Sequence, residues 1–148
     1  MRFKSLTFLV CLLAATLFSR ADDKGAVLRA VATTDYTEVH PDGVFDVTLS
    51  LENPTDVVQK ITIPDPGWDR VWKSSNHHVT WDFWDSDFND KVTIEIQPHG
   101  TYVFPKPLKM FIDQAGKKTR MEFRMGYKTG GAFSKTLWSN PITLDVTP

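Results

Sequence analysis

The amino-acid sequence predicts an all-β fold, a sandwich of two packed antiparallel sheets or a barrel. Three observations carry this. Apolar and polar residues alternate with period two along several stretches. Clusters of Pro, Gly, Asn and Asp punctuate the chain between those stretches. Outside the N-terminal segment, no stretch sustains a helical period.

The alternation is cleanest from Val44 to Glu52. Phe45, Val47, Leu49 and Leu51 point one way, and Asp46, Thr48, Ser50 and Glu52 the other. Successive strand side chains face opposite sides of a sheet, so this segment has a core face and a wet face. The same pattern recurs with Val92, Ile94 and Ile96, with Met121, Phe123, Met125 and Tyr127, and with Ile142, Leu144 and Val146. Further strands are expected at about 26–33, 57–63, 78–84 and 102–111. Turns are expected at Pro41-Asp42-Gly43, Asn53-Pro54-Thr55-Asp56, Pro64-Asp65-Pro66-Gly67, Pro98-His99-Gly100 and Thr129-Gly130-Gly131. Pro105 and Pro107 lack the N–H that a central ladder needs, which places a sheet edge or a bulge in their run.

The N-terminus reads differently. Arg2 and Lys4 precede an apolar stretch from Leu6 to Phe18, and Ser19-Arg20-Ala21 puts small residues where a signal peptidase reads. This is the layout of a cleaved secretory signal peptide, with cleavage after Ala21. The expected organisation is a signal peptide at 1–21 and one domain at 22–148, secreted or periplasmic. The apolar run is short for a membrane span of ~20 residues, so no membrane insertion is expected after cleavage. Cys11 is the only cysteine in the 148 residues, and it lies inside that segment. Val10 before it and the apolar residues after it do not fit a lipidation signal. The processed domain is therefore expected to be free of disulfides and thiols and to rest on its core.

Removing Arg2, Lys4 and Arg20 takes the net charge from −1 to −4. A mildly acidic domain disfavours nucleic acid and anionic membrane as partners. Lysines and carboxylates are interspersed rather than blocked, which reads as an ordinary solvated surface. An unidentified protein or a glycan is the partner class left.

Three segments carry a family resemblance. Leu49-Ser50-Leu51-Glu52-Asn53-Pro54-Thr55-Asp56 looks like a second strand entering an Asn-rich turn. Ile96-Gln97-Pro98-His99-Gly100-Thr101-Tyr102 looks like the Pro-Gly turn before a late strand. Tyr127 to Gly131 followed by Ser139 to Val146 looks like a final hairpin. In this order they resemble the immunoglobulin-like sandwiches of bacterial exported proteins. The resemblance implies an antiparallel sandwich of about seven to nine strands. The Cys pair of antibody domains is absent. The layout is also similar to the bacterial proteinase-inhibitor domains of BsuPI type, but no inhibitory loop matches residue by residue.

The most unusual segment runs from Trp68 to Asp90. It holds Trp68, Trp72, Trp81 and Trp84, four of the five tryptophans. Alternation along 78–84 assigns Val79, Trp81 and Phe83 to the core face and His78, Thr80, Asp82 and Trp84 to the other. Trp68, Trp72 and Trp84 with Asp82 form a candidate ligand surface, since a sugar needs a flat apolar plate for its C–H face and carboxylates for its hydroxyls. Capping of one end of the core is the commoner fate of tryptophan.

Asp85, Asp87 and Asn89 put oxygen ligands at alternate positions, as a Ca²⁺ loop does. The run departs from the EF-hand pattern, with Asp90 where Gly is required and Ile96 where the closing Glu belongs. It stands as a candidate calcium loop and is the only cofactor site suggested. His77 and His78 are adjacent and diverge in a strand. A Zn²⁺ or Cu²⁺ site with Asp65, Asp82 or His99 would require the fold to assemble it.

The chain has no G-x-S-x-G elbow, P-loop, dinucleotide-binding glycine motif or H-E-x-x-H. The expected function is a non-enzymatic exported binding or structural module with no catalytic residues. The first alternative is a carbohydrate-binding module using exposed Trp and Asp residues, and the second is an extracellular protease inhibitor.

Overall fold

The computed structural model describes residues 28–83, 90–113, 119–130 and 134–147. The expected signal peptide and the candidate residues Trp84, Asp85, Asp87 and Asn89 lie outside them. The described chain is all-β. Its strands are β1 (Arg29–Thr33), β2 (Glu38–Val39), β3 (Val44–Glu52), β4 (Gln59–Asp65), β5 (Trp72–Ser74), β6 (Val79–Trp81) and β7 (Asp90–Ile96). They continue as β8 (Thr101–Val103), β9 (Leu108–Ile112), β10 (Thr119–Phe123), β11 (Met125–Lys128), β12 (Thr136–Trp138) and β13 (Ile142–Val146). One 3₁₀ turn, Trp68–Val71, joins β4 to β5.

Thirteen strands exceed the seven to nine expected, and bulges account for part of the excess. β8 and β9 run along the same side of β3, with Val103 opposite Ser50 and Leu108 opposite Val47. Four residues, Phe104 to Pro107, thus face two on β3, and the Phe104 N–H still reaches the Leu49 carbonyl at 3.0 Å. Pro105 and Pro107 sit in this bulge, where no ladder N–H is required. Phe123 pairs with Ile142 and Gly126 with Trp138, so β10–β11 and β12–β13 form one long hairpin with a single extra residue in the return strand. The final hairpin expected from the sequence is present, and its return strand begins earlier, at Thr136.

With those bulged strands joined, the first layer runs β1, β3, β8–β9, β6. The second runs β5, β10–β11, β12–β13, β2, antiparallel except where β2 pairs parallel with β13. β4 and β7 form a separate seven-pair ladder. The layers meet through the alternating apolar sets. Phe45, Val47, Leu49 and Leu51 are wholly buried, as are Met125 and Leu144 from the opposite layer. Phe45 meets Phe123 edge-on at 6.1 Å across the interface. Each such side chain contributes roughly 1.5–3 kcal/mol through removal from water. This is an antiparallel β-sandwich.

Polar side chains complete the ladders where the strands end. Asn140 accepts from the Ala32 N–H at 3.2 Å and donates to the Ala32 carbonyl at 2.9 Å. A side chain of the second layer thereby pairs with the outer edge of β1. Asn53 is 1% exposed and does more. Its amide donates to the carbonyls of Val57, Ile96 and Gln97, and its oxygen accepts from the Thr55 N–H and hydroxyl. The turns at His40–Gly43 and Gln97–Gly100 each close with a 2.9 Å bond, and Asp42 and His99 take left-handed φ values of 62° and 56°. Both follow a proline, as the third residue of a type II turn does.

Two tyrosines couple this core to pH. Burial raises the Tyr127 phenol above its ordinary value, and burial followed by the negative charge of Asp65 raises that of Tyr102. Both stay neutral in the fold while an unfolded chain would ionise, so their contribution is full below about pH 10 and is lost as pH rises through the folded values. Thermal unfolding followed from pH 8 to 11 should show a falling melting temperature above pH 10, and Tyr127→Phe should flatten that fall.

Candidate functional site

The tryptophans of the 68–81 region turn inward. Trp68 and Trp72 are each 1% exposed and Trp81 is 8% exposed. Phe104, at the bulge of the first layer, is the hub of the cluster. Trp68 lies 5.0 Å from it, Trp72 5.3 Å and Tyr102 5.1 Å, and Trp72 also meets Tyr127 edge-on at 5.5 Å. The 3₁₀ turn carries Trp68 into the interface, and β5 carries Trp72 opposite Tyr127. The expectation that Trp68 and Trp72 offer an exposed plate is therefore corrected. Both rings close one end of the sandwich, because burying two indoles against Phe104 and Tyr127 outweighs leaving them wet.

Phe83 also departs from its expected place. β6 ends at Trp81, so the alternation stops there and Phe83 is 57% exposed, resting on Trp81 at 5.3 Å. Asp82 is exposed beside it. His77 and His78 stack at 3.9 Å, His78 Nδ1 is 3.0 Å from the Asp113 carbonyl, and His99 Nε2 is 2.8 Å from Asp56. Among the described residues no three His, Cys, Asp or Glu side chains gather as a metal site.

Asp82 is instead part of a surface that the sequence does not reveal. Two hollows lie on the outer face of the first layer and share Pro107. One, of about 440 Å³, is lined by Thr33, Thr34, Asp35, Tyr36, Asp46 and Thr48. The other, of about 580 Å³, is lined by Val44, Asp82, Lys106, Lys109 and Phe111, with the buried Leu108 at its floor. Register explains the grouping: β9 places Phe111 opposite both Val44 and Thr80, and Lys109 opposite Asp46. The Thr34 hydroxyl donates to the Asp46 carbonyl at 2.6 Å and holds the 34–36 segment against β3. Tyr36, 42% exposed, leans edge-on over Phe45 at 6.3 Å.

Chemically, the first hollow offers carboxylates and hydroxyls beside one aromatic ring. The second offers an apolar floor with charged walls. Of these residues only Asp82 was singled out by the sequence. Asp46 and Thr48 were legible as outward-facing, but their meeting with Asp35, Tyr36 and Pro107 depends on the order β1, β3, β8–β9.

A second surface lies on the outer face of the opposite layer. Register places Gly126 between Lys73 on β5 and Trp138 on β12. Trp138 is 42% exposed. Its ring fills the space above Gly126, where a Cβ would stand 2.7 Å from it, and the Lys73 ammonium lies 5.1 Å from the ring centroid.

No protein-family model matches the chain, and no curated protein matches it.

Proposed function

We propose that the protein is an exported, non-enzymatic, immunoglobulin-like binding module that holds a polyhydroxylated ligand, a glycan, on the outer face of its first layer. The observation that carries this reading is the pair of hollows meeting at Pro107, which gathers Asp35, Asp46, Asp82 and three threonine hydroxyls beside Tyr36 and Phe111. Hollows of these volumes fall within the usual range of ligand sites. Carboxylates accept hydrogen bonds from sugar hydroxyls, and Tyr36 and Phe111 supply apolar surface for C–H faces. Export is supported by the basic, apolar and small-residue layout of residues 1–21. The immunoglobulin-like assignment is supported by strand order. β1, β3, β8–β9 and β6 follow the A, B, E, D order of that fold, and β5, β10–β11 and β12–β13 follow C, F, G.

The test is a glycan array followed by calorimetric titration of the best ligand. Asp46→Asn with Asp82→Asn should weaken binding roughly tenfold or more, because a hydrogen bond to a charged group contributes ~1.5–3 kcal/mol. Both side chains face outward, so the melting temperature should hold. Absence of binding to every glycan, or unchanged affinity in the double variant, refutes the reading.

A further inference from the structure

The outer face of the β5–β11–β12 strip of the second layer is the other candidate surface, and its charge is one-sided among the described residues. The exposed carboxylates of that layer, Glu38, Glu122 and Asp145, lie on β2, β10 and β13. From Phe123 to Leu144 the sequence contains no Asp or Glu, while Arg124, Lys128 and Lys135 fall within it. From Val71 to Trp81 there is again no carboxylate, and Lys73 is the cation. The pairing β12, β11, β5 brings these two acid-free segments side by side. The chain as a whole carries net charge −1, so this basic strip stands against a more acidic remainder. All four cations are exposed, and none forms an ion pair among the described residues.

In the middle of this basic face stands Trp138, held in place rather than loose. Its indole lies over Gly126, the one residue of β11 with no side chain to compete for the space, and the Lys73 ammonium approaches its ring. Ordering the indole beforehand lowers the entropy lost when a ligand stacks on it. A sheet face with one fixed aromatic ring and three cations, Lys73, Arg124 and Lys128, unpaired among the described residues, complements a ligand with both apolar ring faces and regularly spaced negative charge.

We propose that this face binds a uronate polysaccharide, a sugar polymer carrying one carboxylate per residue. A pyranose ring lies on the open surface of Trp138. Its carboxylate pairs with Lys73, and the flanking carboxylates reach Arg124 and Lys128. This site is on the layer opposite the hollows and does not rest on them. The two readings fail separately, since Asp46→Asn and Asp82→Asn leave this face intact.

The experiment is a titration of the purified protein with oligogalacturonate in low salt, with uncharged dextran oligosaccharides, a single-stranded oligonucleotide and phosphatidylglycerol vesicles as the comparison arms. Oligogalacturonate should bind and dextran should not. Binding should weaken as salt is raised, because exposed charges are screened over ~10 Å at 0.1 M. Trp138→Ala should weaken it about tenfold. That substitution also uncovers Gly126, so Lys128→Glu provides a second reading: the side chain is fully outward, the melting temperature should hold, and affinity should fall by a similar factor. Failure of oligogalacturonate to bind in low salt overturns the proposal, as does binding that both variants leave unchanged. Equal or tighter binding of the oligonucleotide or the vesicles also overturns it, by showing that negative charge alone is being read.

Discussion

Trp72→Ala should destabilise the protein by about 3–5 kcal/mol, the cost of deleting a large aromatic side chain from a packed core. The ring is 1% exposed and touches both layers, meeting Phe104 of the first at 5.3 Å and Tyr127 of the second at 5.5 Å. No neighbouring element can collapse into the space without one layer moving toward the other, so the cavity term should be large. At about 4 °C per kcal/mol for a domain of this size, the melting temperature should fall by roughly 12–20 °C. Differential scanning calorimetry provides the measurement. Trp72→Phe supplies the internal control. Among the described residues the buried indole N–H has no acceptor, so removing it relieves part of the loss. Val57→Ala, at a side chain that is 61% exposed, should change stability by less than about 0.5 kcal/mol. A fall of only a few degrees for Trp72→Ala would mean that Trp72 is not held between the layers.

The second large effect is expected at Asn53. One side chain satisfies the carbonyls of Val57, Ile96 and Gln97 while accepting two bonds from Thr55. It ties the end of β3 to the entry of β4 and the exit of β7. Asn53→Ala removes every one of these bonds, the buried one to the Ile96 carbonyl included, at ~1–3 kcal/mol for each group that water cannot reach. A total loss of about 2–4 kcal/mol is expected in chemical denaturation. Asn53→Asp is the sharper variant. It keeps the shape and the two accepted bonds, but at neutral pH it sets a carboxylate against three carbonyl oxygens. It should therefore be destabilised at least as much as the alanine variant, and should recover stability as the pH falls and the carboxyl is protonated. Equal stability of Asn53→Asp and wild type at pH 7 would refute the role assigned to the amide.

Where the period-two pattern is continuous, the strands follow it. Phe45, Val47, Leu49 and Leu51 are buried as their alternation requires, and so are Met121, Phe123, Met125 and Tyr127, even across the break at Arg124. The pattern misleads where a strand stops early. Alternation assigned Phe83 to the core, but β6 ends two residues before it and nothing then fixes its side. The prolines at 105 and 107 announced a bulge. That Phe104 just before them gathers Trp68, Trp72 and Tyr102 was not legible, because those four residues meet only when β5 and β8 approach from different layers.

The candidate surfaces divide in the same way. The sequence by itself determined which residues face outward: Asp46 and Thr48 on β3, and Arg120, Glu122 and Arg124 on β10–β11. Local alternation suffices for that, since neighbouring side chains on a strand must point to opposite sides. Only the tertiary structure decided what those residues face outward with. Strand order set Asp46 beside Tyr36 and Pro107, laid Trp138 over Gly126, and joined two acid-free segments into one basic face. Pairing partners in a sandwich are distant along the chain, and their register comes from burying two apolar faces against each other, which no single strand specifies alone.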